Sequence, residues 1–301
     1  MAEAIKIYDD RLRAILRPGA SLQELANGAV HSEGPVYFHE DDSVVWSDAH
    51  GNRLLHWSPT DGVSVLRSPS DYQSGNYRDL EGRLVACSSG LRAIIRREHN
   101  GEWKILVDRY QGKRLNSPND LVVKSDNTIW FTDPPYGITE PNQGYGGEQE
   151  QPGSYVYRFD PATSEIYPVV TDMVRPNGLA FSPDESLLYV SDTAAFNIPD
   201  GPHHIRVYEV VDERHVQNGR VFCVIDPGQP DGFRVDEHGN IFTSSEDSVQ
   251  VYAPDGTQLG KILIPETSTN LTFGGKERDR LFITAGHSLY TIDLNTRGVQ
   301  L

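Results

Sequence analysis

Cysteine is nearly missing from this chain: Cys87 and Cys223 are the two among 301 residues, and they sit in separate strand-like runs. A disulfide framework is therefore not what holds the protein together, and buried free thiols are expected. Long apolar runs are missing too, since none approaches the roughly 20 residues a membrane-spanning helix needs. The opening stretch MAEAIKIYDDRLRAIL carries scattered charges and no apolar signal core, so the sequence reads as cytoplasmic. Acidic residues outnumber basic ones 43 to 27, and the net charge of −16 argues against nucleic acid or anionic membrane as a partner. Helical periodicity is nearly confined to Asp10–Leu16, far below the roughly one-third helix of an ordinary globular chain. No G-x-S-x-G elbow and no H-E-x-x-H pair occurs among the ten histidines. The cluster Gly144-Tyr145-Gly146-Gly147 lacks a strand before it and a helix after it, so it is not a nucleotide site.

What is present is turns and short strands. Nineteen Pro and 27 Gly separate short runs rich in Thr, Val and Tyr, and no linker-like stretch divides residues 1–301. One phrase recurs: a polar residue, a small or polar residue, an apolar alternation, then an Asp/Gly/Asn turn and a second strand. It begins at Glu33, Asn119, Asn177 and Asp231, with weaker copies at Ser74 and Asn270. The spacings between these openings are 41, 45, 58, 54 and 39 residues. Sheet-based repeats of about 40–50 residues are the mark of propeller blades. The expected fold is an all-β, six-bladed β-propeller forming one domain over 1–301, with 1–20 as an N-terminal extension containing a short helix. Residues around Leu22–Ala29 are expected to supply the strand that closes the ring.

Blade geometry predicts where the openings go. Each begins an inner strand lining the central channel, so all six fall at one end of it. The antiparallel second strand returns its C-terminal end to the same face, bringing Asp48, Asp133, Asp192 and the Glu246-Asp247 pair to that rim. Insertions at 134–153 and 194–204 then hang over the mouth as binding loops. His203-His204 falls in an insertion and reads as solvated, whereas Trp46, Trp57 and Trp130 read as blade core, with His56 and His287 in the same class.

Glu33, Asn119, Asn177 and Asp231 together make an all-oxygen donor set with a formal charge of −2. Such a set suits a hard divalent cation, calcium first, since calcium takes 6–8 oxygens and leaves positions for water or substrate. Zinc or copper would more often recruit His or Cys, which no opening offers. Asn and Asp are also ordinary turn residues, but Glu33 is not a turn former, and Pro118, Pro176 and Pro230 precede three of the openings.

The strings SEGPVYF, KRLNSPNDLVVKSDNTIWFTDPPYGI, RPNGLAFSPDESLLYVSDT, PDGFRVDEHGNIF and TNLTFGG occur in order. They resemble the SMP-30/gluconolactonase/luciferin-regenerating family, most of all its bacterial gluconolactonase branch, over essentially residues 30–290. The resemblance implies a six-bladed propeller with one catalytic divalent cation, often calcium, with Zn2+, Mg2+ or Mn2+ as alternatives. It implies metal ligands in EGP, PND, PNG and DGF, hence Glu33, Asn119, Asn177 and Asp231. Two positions depart from the pattern. Ser74 stands where many relatives have Asn, and Ser117 stands where animal members place a substrate-contacting Arg, for which Arg114 is the nearby substitute.

The expected reaction is hydrolysis of a sugar-acid lactone such as D-glucono-1,5-lactone to gluconate. Asp231 is the candidate to orient or deprotonate water, and Asn119 to serve as both ligand and substrate donor. Arg114, Asp133, Tyr136, His50 and Glu148 are candidates for holding sugar hydroxyls. Another ester or phosphotriester on the same metal propeller is the alternative enzyme reading, and a non-catalytic NHL- or WD-like interaction propeller is the alternative from another class.

Overall fold

The structure is a computed structural model and describes residues 4–299. Its strands form a six-bladed β-propeller. The first four blades each take consecutive strands, beginning with Ser32–Phe38, Gln73–Arg78, Leu121–Val123 and Pro176–Phe181. The fifth blade begins at Phe233–Val235 and carries the N-terminal strand Ile5–Ile7 as a fifth, outer member, an addition the repeat pattern did not foretell. The sixth blade runs from Ser268–Gly274 to Ser288–Asp293 and borrows Gln23–Asn27 as its outer strand. Ring closure therefore joins the two ends of the chain, and the outer hydrogen-bonding edge of Ser288–Asp293 is covered.

Alternation along the strands buries apolar side chains between neighbouring blades. Trp46 and Trp130 are among the largest fully buried side chains, and Trp57 is buried as well. The seam between blades one and six is packed by Tyr37 and Phe282, whose rings stack at 5.6 Å, together with Ala26, Ala29 and Leu289. The short helix Arg11–Ile15 pushes Leu12 and Ile15 into the core of blades five and six. Cys87 and Cys223 are free, buried, and in different core clusters. His204 starts a strand and His203 bonds through Nδ1 to the Ile225 carbonyl at 2.7 Å, so this pair is built into a blade and not solvated. Among the described residues no helix is long and apolar enough to cross a membrane.

Neighbouring blades are stitched together beside the channel. The N–H following an opening residue donates to the next blade's opening carbonyl: Gly75 to Asn119 at 2.7 Å, Gly178 to Asp231 at 3.2 Å, Gly232 to Thr269 at 2.7 Å. This pattern corrects the register of the last copy. The sixth opening is Thr269, and Asn270 occupies the following position, equivalent to Gly34, Gly75, Asp120, Gly178 and Gly232. A break in the ladder between Ser268 and Asn270 causes the slip, because a bulge shifts the apparent phase by one residue.

Candidate active site

The openings lie where the ladder between first and second strands is interrupted or has not yet begun. Pairing shifts between Glu33 and Val36, between Gln73 and Asn76, and between Pro176 and Leu179, while in blades three and five it starts only at Leu121 and Phe233. Bulges of this kind re-aim side chains, and here they turn the opening residues into the channel. Glu33, Ser74, Asn119, Asn177, Asp231 and Thr269, one from each blade, line a single cavity of about 200 Å³.

The donor chemistry at its floor is uneven. Glu33 is buried and its Oε1 has no hydrogen-bond partner among the described residues, whereas Oε2 accepts from the Gly34 N–H and from Asn270 Nδ2 at 3.1 Å. Asn177 Nδ2 reaches Thr193 Oγ1 at 3.4 Å. Below them Asp120 lies fully inside, its Oδ2 3.2 Å from Asn270 Nδ2 and 3.9 Å from an Arg234 guanidinium nitrogen. Three carboxylates thus share one buried region with one guanidinium. Burial, then the charges of Asp231 and Asp120, raise the Glu33 pKa well above the usual carboxylate range. Burial and Asp120 push Asp231 upward too, against a hydrogen bond from Asn177. The Asp120 carboxyl is likewise raised by burial, although Arg234, the Leu121 N–H and Asn270 pull it down. Two uncompensated carboxylates in such a place cost several kcal/mol per ion, and a divalent cation offsets that. Among the described residues no group of three His, Cys, Asp or Glu side chains could hold a metal ion. The candidate set is of another kind, mixing carboxylates with carboxamides. An orphaned buried carboxylate oxygen beside oxygen donors that share its cavity fits a hard cation.

The cavity walls come from two places. Residues two positions before an opening supply His31, Tyr72, Gln229 and Thr267. Second-strand ends and insertions supply Ala49, His50, Ser89, Thr193, Tyr136, Gln143 and Phe196. His31 and His50 stack at 4.3 Å, and their ring nitrogens make no hydrogen bond among the described residues. Burial, then the neighbouring His50, lowers His31 to about 4, and burial lowers His50, so both rings are neutral near pH 7. Tyr136 bonds through its hydroxyl to Thr193 Oγ1 at 2.7 Å, and its ring meets Phe196 edge-on at 6.2 Å. The two insertions therefore meet over the mouth.

Of the side chains expected to hold sugar hydroxyls, Tyr136 and His50 line the cavity and Asp133, Arg114 and Glu148 do not. Asp133 Oδ2 accepts the Asn116 N–H at 2.8 Å, fixing the loop before Asn119. The Arg114 guanidinium donates to the Leu91 carbonyl at 3.0 Å, away from the channel. Glu148 is exposed on the insertion. Ser117, at the departure from the animal pattern, donates to the Pro134 carbonyl at 2.6 Å and accepts from the Gly137 N–H at 2.8 Å. It ties down the insertion. The wall residues His31, Tyr72, Gln229 and Thr267 were missed, yet their shared offset from the openings was a usable signal. Asp120 and Arg234 were missed, and Asn270 was taken for an opening, because nothing in the repeat phrase marks a second layer.

The family model for the SMP-30/gluconolactonase/LRE-like region matches residues 31–287. The chain belongs to that family. A gluconolactonase of Zymomonas mobilis is 32% identical, with 97% of this chain and 86% of that protein covered. The solved structure of a gluconolactonase from Xanthomonas campestris is 41% identical with a TM-score of 0.90, covering 96% of this chain and 94% of that one. A 6-deoxy-6-sulfogluconolactonase of Pseudomonas putida is 29% identical over 85% of this chain and 84% of its own length. Its relatives thus include lactonases named for neutral and for sulfonated sugars, so similarity leaves the substrate's charge open.

Proposed function

We propose that this protein hydrolyses an uncharged sugar-acid lactone of the D-glucono-1,5-lactone kind, using one divalent cation, calcium in the first instance. Lactone hydrolysis is the activity named for its relatives. The observation that carries the cation is the buried, unpartnered Oε1 of Glu33 in a cavity shared with Asn119, Asn177 and Asp231. These four residues would hold the ion. When bound, it would polarise the lactone carbonyl and stabilise the charge that develops on its oxygen.

The chain's own residues do the rest. Asp231 Oδ orients a water toward the carbonyl carbon and accepts its proton. The C–O bond to water forms, the bond to the ring oxygen breaks, and the ring oxygen takes the proton held on Asp231 to become a hydroxyl of the open acid. Asn119 offers its amide N–H to the substrate. Tyr136 and Phe196 cover the mouth and exclude bulk water, while the neutral His31 and His50 rings offer donors and acceptors to hydroxyls.

Among the described residues the cavity lining contains Glu33 and Asp231 but no Lys or Arg. A lactone bearing phosphate or sulfonate would bring its anion against this lining with no cationic side chain to receive it. The test is hydrolysis of glucono-1,5-lactone, corrected for the spontaneous rate, by protein stripped with EDTA and then given calcium, magnesium, manganese or zinc. Activity lost on stripping and restored by one of these ions is expected, as is a kcat/KM at least tenfold lower for the 6-phosphorylated lactone. Full activity in EDTA would reject the cation, and a preference for the phosphorylated lactone would reject the charge assignment.

A further inference from the structure

We infer that Asn270 is a positioning residue, whose carboxamide ties Glu33 to Asp120 and so decides where Glu33 can aim its free oxygen. This rests on the cation reading above. Asn270 is 1% exposed and does not line the cavity, so it touches neither substrate nor bulk water.

Its carboxamide makes three hydrogen bonds. Oδ1 accepts the Leu271 N–H at 2.8 Å, while Nδ2 donates to Glu33 Oε2 at 3.1 Å and to Asp120 Oδ2 at 3.2 Å. The orientation of the amide follows, because the flipped form would set its oxygen against two carboxylates and its NH2 against an N–H. Blades three and six stand opposite each other in the ring, so the Asn270–Asp120 contact spans the channel beneath the cavity. The following positions in the other four blades are glycine: Gly34, Gly75, Gly178 and Gly232. At all four a Cβ would clash with a neighbour, on Gly34 with the Ser74 carbonyl and on Gly178 with the Asp231 carbonyl, and at the other two the neighbour belongs to this contact. A Cβ on Gly75 would run into the Asp120 carboxylate, and one on Gly232 into the Asn270 carboxamide. The ring has cleared space for one long contact across it.

Glu33 needs such a tether. A glutamate has three side-chain torsions, and only its Oε2 is held, by Gly34 and Asn270. Leucine at 270 has nearly the same shape and no donor. It would leave Oε2 and Asp120 Oδ2 without this bond and allow Glu33 to swing. Partners that orient a metal ligand in this way typically change metal affinity by 10–100-fold when removed.

The experiment is a cycle of wild type, Asn270→Leu, Glu33→Gln and the double variant. Calcium affinity is read by calorimetry and metal-free unfolding by urea in EDTA. Asn270→Leu is expected to weaken calcium binding 10–100-fold, to recover kcat at saturating calcium, and to keep more activity than Asp231→Ala. The double variant is expected to bind calcium no worse than Glu33→Gln alone, because Asn270 acts through Glu33. Additive losses in the double variant would make Asn270 a plain packing residue and overturn the inference. Equal calcium affinity in wild type and Asn270→Leu would overturn it too. A wild type that binds none of the four ions would sink the cation reading itself, a result distinct from either. If Asn270→Leu fails to fold, Asn270→Ala, which also removes the donor, carries the same comparison.

Discussion

The Asp192 carboxylate accepts the backbone N–H of Arg175 at 3.0 Å, two residues before Asn177 enters the channel. It also accepts from Val174 at 2.9 Å and from Ala194 at 3.1 Å. Asp48 does the same for Val30 and His31 before Glu33, at 2.9 and 3.0 Å, and Asp133 for Asn116 before Asn119, at 2.8 Å. Three blades thus use one carboxylate at the end of the second strand to clip the loop that delivers an opening residue. Rim carboxylates that look like substrate ligands are spent on backbone.

Replacing Asp192 by alanine should therefore act on stability first. Three N–H donors lose a charged acceptor, and each buried donor left unpaired costs about 1–3 kcal/mol. With some of that cost relieved by water, urea unfolding of Asp192→Ala should show a loss of about 2–4 kcal/mol. A change below about 0.5 kcal/mol, the range of an ordinary surface substitution, would mean the clip does not hold the loop.

The legible part of this molecule was its repetition. A polar opening followed by alternation and an Asp/Gly turn marks each blade, and reading it gave six blades and put Glu33, Asn119, Asn177 and Asp231 at one end of the channel. Register was legible only where the phrase was strong. At the sixth blade the bulge between Ser268 and Asn270 moved the apparent opening by one residue. The second layer was invisible for a different reason: the Asn270 contacts join residues 237 and 150 positions apart, and no local pattern encodes such pairs. Arg114 was misleading because sequence proximity does not say which way a side chain points, and Asp133 because a place at the rim does not say whether a carboxylate faces the cavity or the backbone.

Removing charge from the floor should separate activity from stability. Glu33→Gln keeps the shape of the side chain and deletes one member of a buried cluster of like charges, so in EDTA the variant should equal or exceed wild type by about 1–3 kcal/mol in urea unfolding. Hydrolysis should fall at least a thousandfold, and added calcium should raise Tm by less than it does in wild type. A variant destabilised in EDTA yet still active would place the ion elsewhere.

Ring closure makes its own demand. Gln23–Asn27 covers the edge of Ser288–Asp293, and Ala26 and Leu289 pack at the seam with Tyr37 and Phe282. Protein lacking residues 1–27 should lose a cooperative urea transition and associate through the exposed strand edge, read by light scattering. A monomeric, cooperatively folding truncation would show that the sixth blade stands without its borrowed strand.

The last prediction concerns pH and Asp133, which burial pushes up to about 7 against the pull of the Asn116 and Ser117 N–H groups and Arg92. An acid with a native pKa above its unfolded value of about 3.9 holds its proton more tightly in the fold. Its contribution to stability is fully present below about pH 4 and is lost as pH rises through about 7. The carboxamide introduced by Asp133→Asn cannot ionise, and its oxygen can still accept the Asn116 N–H. The stability difference between variant and wild type should therefore move in the variant's favour by about 2–4 kcal/mol between pH 4 and pH 8. Urea unfolding of both proteins across that range checks it. A difference that stays constant with pH would mean that Asp133 titrates alike in the folded and unfolded chain.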